Sequence, residues 1–287
     1  MEKGIAVSFG YAYGIVKIKE KQDVVFCDSK VENPIEEKDK LHKAIENTVS
    51  QLEKLKEKTV KELGEEEAEI FGAHIMLAED PEYLEEIETL IIDEKLNGKM
   101  AVKNVTDKYL AFFDSMEDEY MKERALDLKD VSQRIILNID GDVFKIEDVV
   151  EDNTIIVSHD LTPSDTAELD KDKVIAFLTD IGGKTSHTAI MAKSLEIPAI
   201  VGLNDITLKV KDGDYVIVDG VSGEVIINPN QDIIKQYQIK KSDFIKEKEE
   251  LKKLKNVETK NKDGKRIEIS GNIGSTDDLD KVIENGG

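Results

Sequence analysis

Cysteine occurs only once in these 287 residues, at Cys27, so no internal disulfide can form. A single thiol is the pattern of a cytosolic protein, and Cys27 reads as a packed small hydrophobe rather than a nucleophile. Basic residues are outnumbered: 40 Lys and Arg stand against 62 Asp and Glu, for a net charge of −22. Such an excess repels polyanions, which excludes a general nucleic-acid binder and favours a partner with a basic surface. No apolar run approaches the roughly 18 residues of a membrane span. The opening GIAVSFGYAYGIV is apolar enough to resemble a signal core, but its glycines and alternation read as strand, turn and strand. No pair of histidines is spaced with cysteine or carboxylate partners as metal ligands are, so no zinc site is expected. Gly183-Lys184-Thr185 matches the tail of a nucleotide-binding P-loop, yet that loop needs a glycine five residues earlier, where Leu178 stands.

What is present changes character twice along the chain. After a first boundary near Val31 to Asn33, apolar residues recur at helical spacing from about Pro34 to Asn138. Leu41, Ile45, Val49, Leu52 and Leu55 make one face; Phe71, His74, Ile75 and Ala78 another; Leu84, Ile87 and Ile91 a third. Val102, Val105, Tyr109, Phe112 and Met116 follow, then Tyr120, Leu128, Val131 and Ile135. Short helices joined by few residues pack as an antiparallel bundle. Strand-like runs resume at Thr154 to Ser158, Val174 to Leu178, Ala199 to Val201, Tyr215 to Val218 and Glu224 to Ile227, the last two joined by a hairpin at Asp219 to Gly223. The bundle is therefore expected as an insertion into an α/β domain. Residues Gln231 to Lys255 read as a charged connecting helix.

The run GGKTSHTAIMAKSLEIPAIVG, Gly182 to Gly202, carries the chemistry. A buried strand leads into a glycine pair, Thr185 or Ser186 caps the next helix, and Pro198 stops it. His187 falls in that first turn. A helix start offers unpaired N–H groups and the positive end of the dipole, and glycine lets a phosphate approach the backbone. A neutral imidazole nitrogen is a nucleophile at physiological pH, while Lys184 and the hydroxyls of Thr185, Ser186 and Thr188 balance phosphoryl oxygens. From spacing alone, an ordinary strand-turn-helix with a surface histidine fits equally well. Elsewhere, His74 reads as a packed helical histidine, and Thr162-Pro163-Ser164-Asp165 as a capped helix start. From Glu62 to Glu94 there are 13 acidic residues and no lysine or arginine, either a solvated helical surface or a face that steers a basic partner.

The run at Gly182 resembles the active-site signature of enzyme I of the bacterial phosphoenolpyruvate:sugar phosphotransferase system. Further segments share the resemblance: Gly4-Ile5-Ala6 with Gly10, GEEEAEIFGAHIMLAEDPE from Gly64, DEYMKERALDLKDV from Asp118, and LTPSDTAEL from Leu161. Lys184 departs from it, since many members carry arginine there, and lysine lacks the planar fork for bidentate phosphate contact.

The resemblance implies a fold: an α/β swivelling phosphohistidine domain, residues 1–32 and 139–230, with an inserted all-α helical-bundle domain, residues 33–138. A linker helix at 231–256 follows, then 257–287 as the start of a C-terminal phosphoenolpyruvate-binding barrel. It implies that His187 carries the phosphoryl group, that Thr166 orients it, and that Gly182, Gly183, Lys184, Thr185 and Ser186 stabilise the phosphate. The implied partner is the phosphocarrier HPr, docking on the helical domain at Glu65, Glu66, His74, Met76, Leu77, Asp80, Glu82, Arg124 and Lys129. Magnesium and phosphoenolpyruvate belong to the family's barrel, so the expectation is no cofactor and no phosphoenolpyruvate-dependent self-phosphorylation in these 287 residues. A cytoplasmic monomer is expected, with dimerisation through the barrel. The alternatives are a phosphohistidine domain of a pyruvate phosphate dikinase or phosphoenolpyruvate synthase, or a docking module without catalysis.

Overall fold

The computed structural model describes residues 1–19, 26–27, 30–116, 119–141, 151–170, 172–254, 257–268, 270–271 and 282–283. Strands β1 (Glu2–Lys3), β2 (Ile5–Ser8) and β3 (Tyr11–Lys19) come first. Five helices follow: α1 (Pro34–Glu62), α2 (Glu65–Ala78), α3 (Pro81–Asp93), α4 (Gly98–Asp114) and α5 (Glu119–Asp140). The chain then alternates through β4 (Thr154–Ser158), α6 (Pro163–Glu168), β5 (Val174–Thr179), α7 (His187–Ser194), β6 (Ala199–Val201) and α8 (Ile206–Lys209). It continues with the hairpin β7 (Tyr215–Asp219) and β8 (Glu224–Ile227), then α9 (Gln231–Lys253).

All eight strands form one mixed sheet, in the order β1-β8-β7-β3-β4-β5-β6-β2. The run β3-β4-β5-β6 is parallel and the outer pairs are antiparallel. Parallel strands need long crossovers with both faces covered, which is why every residue of β4 is buried. The crossover from β3 to β4 contains the whole helical region, so residues on either side of α1–α5 in sequence share one sheet.

Local chemistry starts these helices where the sequence places them. Asn33, Asp80 and Asn97 cap α1, α3 and α4 through their side-chain oxygens, and Pro34 and Pro81 occupy first-turn positions. The apolar faces meet in one core of Leu41, Ile45, Ile87, Ile91, Val102, Val105, Leu128, Val131 and Ile135. Phe112 departs from its expected face: it is exposed, and Phe113 packs against the core instead. The 3.6-residue pitch has carried the stripe round by one position at that end of α4.

The sheet has a core on each side, one around Val157, Leu178 and Val216, the other around Ile156, Phe177 and Ala199. Helix α9 lies on β3, with Tyr237 buried, its ring edge to Tyr11, and its hydroxyl donating to Asp219 at 3.1 Å. Cys27 is exposed, which corrects its reading as a packed hydrophobe: the residue lies outside every core cluster. In 257–287, a turn closed by the Lys260–Arg266 bridge is present, and the expected barrel strand and helix fall largely outside the described residues. Among the described residues no helix is long and apolar enough to cross a membrane.

Candidate functional site

The site forms where β5 ends and α7 begins, at the carboxyl edge of the parallel strands, where α/β sheets generally bind ligands. Thr179 closes β5 by donating its hydroxyl to the Ile181 carbonyl at 2.6 Å. Asp180 is buried and accepts from the Thr207 N–H at 3.0 Å and the Thr207 hydroxyl at 2.6 Å. His159 Nδ1 lies 3.2 Å from the same carboxylate. The N–H groups of Asp180 and Ile181 donate to the carbonyls of Ser158 and His159, so the loop is clamped to the end of β4.

Gly182 follows with φ +116°, and a methyl added there would lie 3.3 Å from the Val201 Cβ. The positive φ favours glycine, and a side chain there would also press on Val201. Gly183 has nothing within 4 Å of an added Cβ, so its backbone opens onto free space. Ser186 is the cap of α7: its oxygen accepts from Ala189 N–H at 3.3 Å and its hydroxyl donates to the Gly183 carbonyl at 2.9 Å. His187 is the first residue of the helix and half-buried. Among the described residues no side chain bonds its ring, and the N–H groups of Gly183, Lys184 and Thr185 donate to no carbonyl. Lys184 and Thr185 are exposed. A half-open imidazole, a helix start and unpaired N–H donors beside an open glycine can receive a tetrahedral dianion.

Helix α6, which carries Thr166, packs against α7. Thr166 is buried, and its hydroxyl donates to the Pro163 carbonyl at 2.9 Å. No bond joins it to His187 in this structure. The Thr162–Asp165 capping box starts α6 as its sequence indicates. Burial pushes the carboxyls of Asp160 and Glu168 above their usual range, and for Glu168 it outweighs the opposing Arg134 guanidinium.

The expected docking residues divide by their surroundings. Glu65, Glu66, Met76, Glu82 and Lys129 are exposed on α2, α3 and α5. Leu77 packs partly against the helical core, and Asp80 serves as the α3 cap, accepting from Tyr83 N–H at 2.9 Å. Arg124 approaches Asp127 at 3.9 Å. His74 is fully buried, with Nε2 3.2 Å from Asp127: its reading as a packed helical histidine holds, and its place among the docking residues is corrected, since no part of its side chain is exposed. Its apolar face of Phe71, Ile75 and Ala78 turns it into the helix–helix seam.

Four contacts that the sequence did not reveal join the helical region to the site. Ser194 at the end of α7 donates to Glu67 at 3.0 Å, Ser164 N–H donates to Asp130 at 3.2 Å, Lys58 donates to the Leu169 carbonyl at 3.1 Å, and Arg134 pairs with Glu168 at 2.6 Å. Their partners stand between 34 and 127 positions apart, beyond any local pattern. Among the described residues no group of three or more His, Cys, Asp or Glu is placed to hold a metal ion.

The chain is similar to known proteins. Residues 3–124 match the family model of the PEP-utilising enzyme N-terminal domain, and residues 150–223 that of the PEP-utilising enzyme mobile domain. The chain is 42% identical over 284 residues to the phosphoenolpyruvate-protein phosphotransferase of Staphylococcus carnosus (strain TM300), and 44% identical over 288 residues to that of Enterococcus faecalis (strain ATCC 700802 / V583). These alignments cover 99% and 100% of this chain and 50% of each relative, so the chain spans about half the length of the curated relatives it matches. A solution structure of Enzyme I is 47% identical, with a TM-score of 0.73, covering 85% of this chain and 99% of that one. The structure of an N-terminal domain of Enzyme 1 – Nitrogen is 26% identical, with a TM-score of 0.58, covering 84% and 100%. The class is that of the PEP-utilising enzymes, and within it the chain belongs to the enzyme I family.

Proposed function

We propose that His187 carries a phosphoryl group and exchanges it reversibly with the histidine of the carrier HPr, docked on the helical region. The observation that carries this reading is the placement of His187: first residue of a capped helix, ring unbonded among the described residues, beside an open Gly183. A neutral ring nitrogen attacks phosphorus, a new N–P bond forms, and the N–P bond to the carrier breaks with its electron pair returning to the carrier's imidazole. The N–H groups of Gly183 to Thr185 and the Lys184 ammonium face the phosphoryl oxygens and offset their charge. Thr166 orients the ring by accepting an N–H on the hydroxyl oxygen, because its own hydrogen is already donated to Pro163.

Docking on α2 is supported by one contact. Ser194 bonds Glu67, the immediate neighbour of Glu66, and an eight-residue helix separates Ser194 from His187 by roughly 10 Å. A carrier on the exposed Glu65–Glu66 end of α2 therefore lies within a short reach of the nucleophile. Glu65, Glu66, Met76, Glu82, Arg124 and Lys129 are the contact residues of this reading. Phosphoenolpyruvate and the magnesium that accompanies it are assigned to the portion of the relatives that these 287 residues do not match.

The test is mass mapping after incubation with phospho-HPr. One acid-labile phosphate on His187 is the expected result, and His187→Ala removes it while HPr still binds in titration. Phosphate accumulating on the alanine variant defeats the proposal. Binding without any phosphate on the unaltered chain supports instead a docking module without catalysis.

A further inference from the structure

Helix α6, with only six residues, is too short to persist on its own backbone bonds. The helical region holds it at both ends. At its start, buried Asp130 on α5 accepts from the Ser164 N–H at 3.2 Å. Behind Asp130 lies the fully buried His74, with Nδ1 3.8 Å from the same carboxylate oxygen. At the other end, Lys58 on α1 donates to the carbonyls of Leu169 at 3.1 Å and Glu168 at 3.5 Å. An anion at a helix start and a cation at its end both oppose the helix dipole, so the two contacts fix the position and the direction of α6. Between them Ala167 packs with Leu52, Leu55 and Phe71. The segment that leads into this helix reaches the nucleophile's own helix: the Thr188 hydroxyl, next to His187, donates at 3.3 Å to the carbonyl of Leu161, the residue before the α6 cap Thr162.

We infer that Asp130 and Lys58 are positioning residues for phosphoryl transfer, setting the register of α6, and with it Thr166, against His187. This rests on the reading of His187 as the phosphoryl carrier. Neither side chain touches the reacting atoms; they act through α6. Both belong to the region that carries the proposed docking face, so docking surface and nucleophile share one scaffold. An ångström of slip in α6 shifts the orienting hydroxyl relative to the His187 helix, and misplacement on that scale lowers transfer rates by about ten- to a hundred-fold.

The experiment uses the 287-residue chain with phospho-HPr in Asp130→Asn, Lys58→Met and Lys58→Arg variants. Exchange rates are measured over a range of carrier concentrations, the ring nitrogen signals of His187 are recorded by NMR, and melting curves establish folding. Expected are a kcat lowered about ten-fold or more in Asp130→Asn and Lys58→Met with KM held, shifted His187 ring signals, and recovery of both in Lys58→Arg. Wild-type kcat and an unmoved His187 spectrum in both charge-removing variants overturn the inference, as does a raised KM at unchanged kcat. Should Asp130→Asn fail to fold, the lysine pair decides alone. An unaltered chain that takes no phosphoryl group onto His187 overturns the parent reading as well, whereas inert substitutions beside an active wild type overturn this inference only.

Discussion

At the scale of single residues, the two glycines before α7 do different work, and substitution separates them. Gly182 holds φ +116° with Val201 against the place of a side chain, so Gly182→Ala is expected to lose about 1–2 kcal/mol of stability in denaturant titration. Gly183 has open space where a methyl would sit, so Gly183→Ala should fold within about 0.5 kcal/mol of wild type. That methyl would occupy the approach of the phosphoryl oxygens, and phosphate exchange is expected to slow in a variant of unchanged stability. Equal stability loss at both positions would contradict this division. The placement of His187, Ser186 and the glycine pair was legible in sequence because turn, cap and histidine lie within six residues and obey local rules. The packing of His74 was legible from its own helical face, but its aspartate partners were not: they come from α5, more than 50 positions away. Cys27 failed for the same reason, since an exposed loop position and a core position carry the same letter.

At the scale of elements, capping residues and periodicity gave the helices and strands nearly as they stand. Caps act within three or four residues, and a buried parallel strand announces itself as a short apolar run. What crosses between elements was silent. Helix α1 is tied to α3 through Glu88, which meets Lys38 and His42, each at 2.6 Å. Burial pushes the Glu88 carboxyl up, but the hydrogen bonds from Lys38 and His42 outweigh it and hold the group below its usual value of 4.5. A lowered folded-state value means a contribution that is present above the unfolded value and is lost as pH falls through the folded one. Glu88→Gln should therefore reduce the melting temperature near pH 6, by the equivalent of a few tenths to about 1 kcal/mol, and leave it unchanged near pH 3. A difference that persists undiminished into acid would show that packing, not charge, joins these helices.

At the scale of the whole molecule, charge and topology set the behaviour. A net charge of −22, with 13 acidic and no lysine or arginine residues from Glu62 to Glu94, creates a field that favours approach of a basic surface. The association rate with HPr is expected to fall several-fold between about 0.05 M and 0.5 M salt, with dissociation changing less, as stopped-flow mixing would measure. Glu65→Lys should weaken binding in the same assay; undiminished affinity would move the docking face elsewhere.

The sequence by itself determined the elements, the insertion of helices between two sets of strands, and a histidine poised at a helix start. These follow from periodicity, capping and glycine conformation, all of which act over a few residues. Only the tertiary structure decided that Asp127 and Asp130 meet His74, that Glu67 reaches α7, and that Asp130 and Lys58 grip α6 from the helical region. Those contacts join residues tens of positions apart, and nothing in a local pattern encodes which distant side chain will complete a helix end once the chain has folded over it.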